Sequence, residues 1–304
     1  MINFTPNPIA FWLGPIAVHW YGIAYAVGIA AAAWLATVEA RRRGQDPNLI
    51  PNGIIVIAIA ALIGGRAYHV IDQWHLYAND PIKIFLPPYT GLGIYGGVVT
   101  GLLAMIWYTR RNHMPFWIWA DIAAPAALLT QAIARWGNFF NQELYGPPTN
   151  LPWGIAIQCQ YRVPEYACPP LGTTPVDAHF HPLFLYESLL SFLGVAVLLY
   201  IARRLATWTR PGDIALGYFI WYGVERFLLE FFRHGYNWTF FGIPTAQLVA
   251  SIFVLTSLAI LVYRHRPGSS AARSAGEDDD EGDGGGGRAG AAAGPQDPLT
   301  VPRS

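Results

Sequence analysis

Charged residues are scarce in this sequence. Only 12% of its 304 residues are Asp, Glu, Lys or Arg, and 53% are hydrophobic, whereas a soluble domain has roughly 25% charged residues. Seven of the 19 acidic residues lie near the C-terminal end, so the rest of the chain is even more apolar. The formal net charge is +0, which gives no basic patch for nucleic acid. This scarcity argues against an ordinary soluble domain and indicates a membrane protein.

Cysteine is also rare, and neither a compact metal-ligand set nor an internal repeat is present in the sequence. The two cysteines, Cys159 and Cys168, fall in the same polar segment. If that segment is exported they can form a disulfide, and otherwise they remain free thiols. No His, Cys and carboxylate residues have the close spacing of a metal site. The absence of a repeat gives no support to an inverted-repeat transporter.

Seven hydrophobic stretches are long enough to cross about 30 Å of hydrocarbon as helices. They lie at about 16–38, 51–72, 91–109, 115–137, 182–202, 212–232 and 242–263. We therefore predict an all-α polytopic membrane protein with seven transmembrane helices. No Lys or Arg precedes the first stretch, which is too long for a cleavable signal peptide.

The positive charges are distributed unevenly between the two ends of these helices. With the N-terminus outside, ten arginines fall on the cytoplasmic side and only Lys83, Arg162 and Arg233 on the other. This predicts an extracytoplasmic N-terminus, a cytoplasmic C-terminus and a small extracytoplasmic head at 138–181. Residues 1–266 would form the membrane domain. The remainder, 267–304, is rich in Gly, Ala, Ser, Asp and Pro and is predicted to be a disordered cytoplasmic tail.

Several charged residues fall inside the predicted spans, where each costs roughly 2.5–3.5 kcal/mol near the bilayer centre. They are Arg66, Arg135, Glu225, Arg226 and Glu230. Such residues need partners or a wet cavity and are candidates for function. In the predicted orientation the three arginines all lie in the outer half of the bilayer, so one cavity explains them. The inner ends show little besides the arginines that set the topology and Asp121.

Helical spacing places polar residues in two stripes. The stripe on the sixth helix comprises Tyr222, Arg226, Glu230 and Arg233, and the stripe on the fourth comprises Gln131, Arg135 and Asn138. Structural ion pairs are the alternative interpretation for Glu230 and Glu187, and a snorkelling interfacial cation is the alternative for Arg233. We predict that Arg135 and Arg226 are two unpaired guanidiniums that bind an anion. Phosphate oxygens suit the guanidinium fork, and the commonest phosphate at that level belongs to a phospholipid.

One run of polar residues has a distinctive spacing. Residues 134–146 read Ala-Arg-Trp-Gly-Asn-Phe-Phe-Asn-Gln-Glu-Leu-Tyr-Gly. This run closely resembles the signature of prolipoprotein diacylglyceryl transferases, Arg-x-Gly-Asn-Phe-x-Asn-x-Glu followed by Gly. Further matches are His19-Trp20-Tyr21-Gly22, Gly64-Gly65-Arg66, His181-Pro182 with Tyr186-Glu187, and Tyr222 through Arg233. The resemblance thus extends from residue 19 to residue 233.

The resemblance implies a transferase of the bacterial plasma (inner) membrane, with its active site toward the outer leaflet. Such enzymes move the diacylglyceryl group from phosphatidylglycerol to the lipobox cysteine of a prolipoprotein and release glycerol 1-phosphate, and neither a metal nor an organic cofactor is expected. The implied catalytic residues are Arg135, Arg226 and Tyr95. The implied substrate-binding residues are Tyr21, Arg66, Gly96, Gly97, Asn138, Asn141, Glu143, Gly146, Tyr222 and Glu230. The glycine pairs Gly64-Gly65 and Gly96-Gly97 either allow close helix packing or make room for acyl chains.

Tyr95 departs from the family pattern. Many members have a His there, which is a candidate general base for the thiol. A Tyr, with an unperturbed pKa near 10, is a poor base at neutral pH unless a cation lowers that pKa. Either nearby arginines do so, or Tyr95 is mainly a hydrogen-bonding group and the thiol is activated otherwise.

Two other functional classes fit some of these features. An anion transporter or flippase would suit intramembrane arginines, but a transport site lies near the midplane, whereas these polar residues are confined to the outer half. A non-catalytic lipid-binding subunit would bind phosphatidylglycerol without forming a product.

Overall fold

Seven α-helices make up most of the part of the chain that the structure describes. The computed structural model describes residues 1–84, 91, 93–233 and 239–266, and the predicted tail at 267–304 lies outside them. The helices of the described part are α1 (Trp20–Arg42), α2 (Leu49–Asp72), α3 (Ile94–Arg111), α4 (Phe116–Phe140), α5 (Leu183–Arg204), α6 (Asp213–Glu230) and α7 (Thr245–Arg264). Each one coincides with a predicted stretch, so the seven predicted helices are present.

Three two-stranded antiparallel sheets accompany the helices. They pair β1 (Ile9–Leu13) with β2 (Ile16–His19), β3 (Ile155–Ala156) with β4 (His179–Phe180), and β5 (Thr239–Phe240) with β6 (Ile243–Pro244). The prediction that the first helix begins near residue 16 is wrong. Ile16–His19 pairs with β1 through a turn in which Gly14 has φ +58°, and α1 begins only at Trp20.

Five of the helices, α1, α2, α4, α5 and α7, are long and apolar enough to cross a membrane. The other two, α3 and α6, have 18 residues each. The lower apolarity of α6 has a clear cause, because it contains Asp213, Glu225, Arg226 and Glu230. The architecture is that of a polytopic membrane protein.

The central helix is α4, which contributes to two apolar clusters. The first joins α4 to α1, α5 and α6 around Leu35, Leu128, Leu198 and Ile214. The second joins α4 to α1 and α2 around Ala40, Ile50, Trp119 and Ile122. A small residue permits close contact between α1 and α4, because a Cβ on Gly28 would lie 3.1 Å from the Thr130 carbonyl oxygen.

Helices α2 and α3 form a closely packed pair. A Cβ on Gly97 would lie 3.2 Å from the Ala61 carbonyl oxygen, and a Cβ on Gly96 would overlap Gly64. The Thr100 hydroxyl donates to the Ala60 carbonyl across this contact at 2.8 Å. These contacts favour the helix-packing interpretation of the glycine pairs.

The segment between α4 and α5 forms a small head with its own core. Tyr145, Ile155, Ile157, Phe180 and Phe184 pack together there. A disulfide joins Cys159 and Cys168, whose Cα atoms lie 5.6 Å apart, so of the two alternatives left open by the sequence the disulfide is the one present. Burial also raises the pKa of the Tyr145 hydroxyl within this core.

Arg162 fixes the backbone of the head from inside. Its side chain donates to the carbonyl oxygens of Ile157 at 2.9 Å, Pro175 at 2.7 Å and Val176 at 2.6 Å. The guanidinium also stacks on Phe180, 4.9 Å from the ring centroid. This buried arginine therefore stabilises the head.

Buried ion pairs also occupy the opposite end of the bundle, where α1 and α5 end and α4 and α6 begin. Glu39, 1% exposed, accepts hydrogen bonds from Arg42 at 2.9 Å and from Arg203 at 2.6 Å. Asp121 pairs with Arg43 at 3.3 Å and accepts hydrogen bonds from backbone N–H groups at the start of α6. The expectation that this end contains little besides arginines and Asp121 is therefore wrong, because Glu39 joins two of those arginines.

The chain divides into two compact units, Met1–Ala259 and Ile260–Ser304. All residues of the candidate site described below belong to the first unit. In the second, the guanidinium of Arg266 stacks on Tyr263, 4.4 Å from the ring centroid. The predicted boundary between membrane domain and tail, at residue 266, remains a prediction.

Candidate active site

Arg135 on α4 is held by a carboxylate from α5. Its Nη2 forms an ion pair with Glu187 Oε1, and its Nη1 donates to Asn138 Oδ1 at 3.3 Å. Glu187 is 5% exposed, whereas the Arg135 side chain is 26% exposed. The prediction that Arg135 is unpaired is therefore wrong, because a buried carboxylate compensates the cost of placing its charge there.

Arg226 on α6 has a partner on its own helix. Its Nη2 lies 2.8 Å from Glu230 Oε2, one helical turn further on, so the prediction that Arg226 is unpaired is also wrong. The ion pair that was the alternative interpretation for Glu230 is therefore present. The Arg226 side chain remains 20% exposed. A guanidinium has five N–H donors, so one carboxylate leaves some of them for a ligand.

The polar stripes of α4 and α6 come together. Tyr222 lies within range of charge–charge interaction with both Arg135 and Arg226. Arg233, just beyond α6, lies within range of the same two arginines and of their carboxylate partners. Two arginines predicted from separate stripes thus share one site with Tyr222 and Arg233.

The signature run folds back on itself where α4 ends. Glu143 Oε1 accepts hydrogen bonds from Asn138 Nδ2 at 2.7 Å and from Asn141 Nδ2 at 3.2 Å. The turn has left-handed backbone at Gln142, φ 54°, and Leu144, φ 57°. Because Asn138 also accepts from Arg135, the polar residues of the signature form one connected chain of hydrogen bonds.

Tyr21 at the start of α1 borders the signature. A Cβ on Gly137 would lie 2.9 Å from Tyr21 Cδ2, so only glycine allows α4 to approach this ring so closely. Tyr21 lies within electrostatic range of Glu143 and Arg135, and its hydroxyl is 3.4 Å from that of Tyr25. The structure thus brings this predicted substrate-binding residue to the site.

Gly146 lies at the junction of the signature with α5 and α6. Its N–H donates to the His181 carbonyl at 2.8 Å, and a Cβ there would lie 3.1 Å from the Phe232 carbonyl oxygen. Both of these contacts are with backbone carbonyls of the protein, so they fix the position of the chain at this junction. The His181 ring in turn hydrogen-bonds the Tyr186 hydroxyl at 3.1 Å.

Four predicted site residues, Arg66, Tyr95, Gly96 and Gly97, lie on the α2–α3 pair. Arg66 donates to the carbonyl oxygens of Lys83 at 3.1 Å and Ile84 at 3.2 Å. The Tyr95 ring lies 6.0 Å from that of Tyr68, and Tyr95 is 48% exposed. These contacts lie within the α2–α3 pair and its connection, whereas the other predicted residues gather around Arg135 and Arg226.

The hydrogen-bond network behind Arg135 was not predicted from the sequence. Gln131 Nε2 lies 3.3 Å from Glu187 Oε1, 3.1 Å from Ser191 Oγ and 3.4 Å from Glu225 Oε1. The Ser191 hydroxyl also donates to Glu225 Oε1 at 3.0 Å. Ser191 follows Glu187 by one helical turn, and this spacing was the available signal.

Comparison with known proteins agrees with the signature. The family model described as prolipoprotein diacylglyceryl transferase matches residues 8–263. The phosphatidylglycerol–prolipoprotein diacylglyceryl transferase of Bacillus licheniformis is 38% identical over 268 residues, 88% of this chain and 96% of the relative. The enzymes of the same name from Chloroflexus aggregans and Enterococcus faecalis are each 37% identical. They cover 83% and 86% of this chain, and 87% and 91% of their own lengths. This chain is therefore a transferase and belongs to the prolipoprotein diacylglyceryl transferase family.

Proposed function

We propose that this protein transfers the diacylglyceryl group of phosphatidylglycerol to the lipobox cysteine thiol of a prolipoprotein and releases glycerol 1-phosphate. Both substrates occur in the names of its relatives. The observation that carries the proposal is the convergence of Arg135 and Arg226 beside the signature run. Guanidinium donors in a partly buried site suit the phosphodiester of a phospholipid.

The proposed topology has seven spans, an extracytoplasmic N-terminus and a cytoplasmic C-terminus in the bacterial plasma membrane. The excess of arginine at the Glu39 end of the bundle supports this orientation. So does the disulfide of the head, since disulfides persist outside the cytoplasm. Arg135 and Arg226 then face the outer leaflet, from which phosphatidylglycerol enters sideways.

In the proposed reaction the cysteine sulfur attacks the glycerol carbon that bears the phosphate ester. A carbon–sulfur bond forms and the carbon–oxygen bond breaks, and its electron pair leaves with the oxygen of glycerol 1-phosphate. Arg135 and Arg226 bind the phosphodiester and stabilise the charge that develops on the leaving phosphate. The thiolate is the nucleophile, and the same positive charges favour loss of the thiol proton, which is released to water.

The remaining residues of the site orient the lipid and complete its wall. Asn138, Asn141 and Glu143 are proposed to contact the glycerol headgroup, since they already form one hydrogen-bond chain with Arg135. Tyr21 and Tyr222 border the two arginines. Tyr95 of the α2–α3 pair is proposed to complete the polar wall of the site, and the head is proposed to help receive the signal peptide.

The test is a reconstitution with purified protein, phosphatidylglycerol and a synthetic lipobox peptide. Glycerol phosphate release and a mass gain on the peptide cysteine are expected, without a sealed vesicle. Arg135→Ala and Arg226→Ala should abolish transfer while the protein still inserts. Arg204→Ala, at an exposed arginine at the far end of α5, is the matched control.

Near-normal transfer by either site variant would contradict the role of that arginine. Binding of phosphatidylglycerol without any peptide modification would instead identify a lipid-binding subunit. Movement of lipid across a sealed bilayer without modification would identify a transporter.

A further inference from the structure

Glu225 on α6 is a buried acid that the proposed mechanism does not use. It is 4% exposed and directly precedes Arg226 in the sequence. Its Oε1 accepts hydrogen bonds from Ser191 on α5 and Gln131 on α4, so its carboxyl lies behind Arg135 among these helices. A second buried carboxylate, Glu187, is hydrogen-bonded to the same Gln131 nitrogen.

Glu225 has no ion pair of its own among the residues that the structure describes. Arg135 on α4 and Arg226, the next residue on α6, pair instead with Glu187 and Glu230. Tyr218 and Tyr222 on its own helix also lie within range of Glu225, and Arg233, beyond α6, lies within range of Glu187. Two buried carboxylates bridged by one amide repel each other and have lost hydration. One of them therefore retains a proton.

The hydrogen bonds indicate which acid retains it. Glu187 has the direct ion pair with Arg135. Within the part of the chain that the structure describes, no donor reaches Glu225 Oε2, although this oxygen is buried. An ionised oxygen buried without a donor costs far more than a neutral carboxylic acid in the same place. The proton therefore belongs on Glu225.

We propose that Glu225 is a protonated positioning residue which, through Gln131 and Ser191, keeps Glu187 aligned on Arg135 without competing for the positive charge of that arginine. The functional part of this inference rests on the proposed binding of phosphatidylglycerol phosphate by Arg135. Ionisation of Glu225 in alkaline solution would add a negative charge behind that arginine. The affinity for the anionic lipid should then fall as the pH rises.

Infrared spectroscopy tests the proton directly and requires no activity. In wild-type protein the C=O stretching band of a buried, protonated carboxyl group is expected at neutral pH and should fade reversibly in alkaline solution. The band should be absent from Glu225→Gln. It should persist in Glu165→Gln, because Glu165 is an exposed acid of the head. Absence of the band from the wild-type spectrum at neutral pH would overturn the proposal.

The kinetic test compares the KM for phosphatidylglycerol of wild type and Glu225→Gln from neutral to alkaline pH, with the lipobox peptide as acceptor. Gln keeps the acceptor oxygen for Ser191 and cannot ionise. The wild-type KM should therefore rise relative to that of the variant, on the order of tenfold, with little difference in kcat. Equal pH dependence of the two KM values would overturn the positioning role.

These two measurements separate the inference from the proposed function. If the wild-type protein shows the infrared band but no transfer in the reconstitution, the buried proton is supported and the proposed function is overturned. If it transfers normally but lacks the band, the proposed function is supported and the protonation of Glu225 is overturned. A large rise in the KM of Glu225→Gln at neutral pH would show that an ionised carboxylate is required, which also contradicts the proposal.

Discussion

Glu187 on α5 forms an ion pair with Arg135 on α4, which fixes the guanidinium from behind. The second arginine of the site is paired differently, because Glu230 lies one turn from Arg226 on the same helix. Both arginines are thus ion-paired before any ligand binds. Each is oriented by a buried carboxylate while 26% and 20% of the two side chains stay exposed. A preorganised donor needs no reorientation when phosphate charge develops, and this is how such donors contribute to catalysis.

Glu187→Gln tests the orientation of Arg135. The substitution keeps the size of the side chain and removes the charge that fixes the guanidinium. We expect kcat to fall by on the order of 10²-fold, since misplacement of a catalytic group by about 1 Å has an effect of that size. The measurement is steady-state transfer to the lipobox peptide. Glu165→Gln, at an exposed acid of the head, is the control, and an unchanged kcat in Glu187→Gln would contradict the role assigned to the ion pair.

Arg226→Lys tests whether the shape of the guanidinium matters in addition to its charge. Lysine keeps the positive charge but cannot offer a planar fork to both Glu230 and a phosphate. We expect kcat/KM to fall at least about tenfold, the equivalent of one charge-assisted hydrogen bond of roughly 1.5 kcal/mol. Arg204→Lys should leave kcat/KM unchanged. Full activity of Arg226→Lys would mean that a point charge is sufficient.

The helices were predictable from the sequence because long apolar runs have few alternatives in a membrane. The family was predictable because the signature run holds its polar residues at fixed spacing. The Arg226–Glu230 pair was missed although helical spacing indicates it, since the two residues lie one turn apart on one helix. The error at Arg135 has a different origin. Arg135 and Glu187 are 52 positions apart on different helices, and no periodicity within either helix reveals which partner faces which.

Local context explains the other two differences between the sequence-based prediction and the structure, at Ile16–His19 and at Glu39. Ile16–His19 has the apolar composition of a membrane helix but pairs with β1, because the turn at Gly14 returns the chain on itself. Glu39 lies just beyond the predicted end of the first span and was therefore counted with neither the intramembrane charges nor the cations. Its partner Arg203 is 164 positions away, so the contact becomes visible only in three dimensions.

Tyr95→Phe distinguishes the two interpretations of this departure from the family pattern. If the hydroxyl only forms a hydrogen bond, its removal should reduce kcat/KM by no more than about tenfold, since such a bond contributes roughly 0.5–1.5 kcal/mol. A general base would account for a factor of about 10²–10⁴. Tyr95 is half exposed against Tyr68, so we expect the smaller effect. The pH profile of kcat/KM in both proteins is the accompanying measurement, and loss of an ionisation in the variant would favour the base.

Arg162→Lys should loosen the head. The arginine donates to three backbone carbonyls that belong to two separate stretches of chain, whereas a lysine ammonium cannot reach all three in the same geometry. Loss of one or two charge-assisted bonds corresponds to about 2–5 kcal/mol of local stability. Limited proteolysis within residues 157–176 should become faster, and reduction of the Cys159–Cys168 disulfide should increase it further. Cleavage at the wild-type rate would show that the disulfide and the apolar core suffice.

Glu39→Gln tests a buried ion pair that lies far from the candidate site and should affect stability and not catalysis. Glu39 joins Arg42 and Arg203 where α1 and α5 end, at the far end of the bundle from Arg135. Removal of its charge leaves two arginines without their shared partner, and disruption of a buried pair typically costs about 3–5 kcal/mol. Because Arg203 is 43% exposed, water offsets part of this loss, so we expect the lower end of that range or less. The unfolding temperature in detergent should fall, while kcat and KM per folded molecule stay at wild-type values. A specific loss of kcat, with no change in unfolding temperature, would contradict a purely structural role for the end of the bundle that contains Glu39.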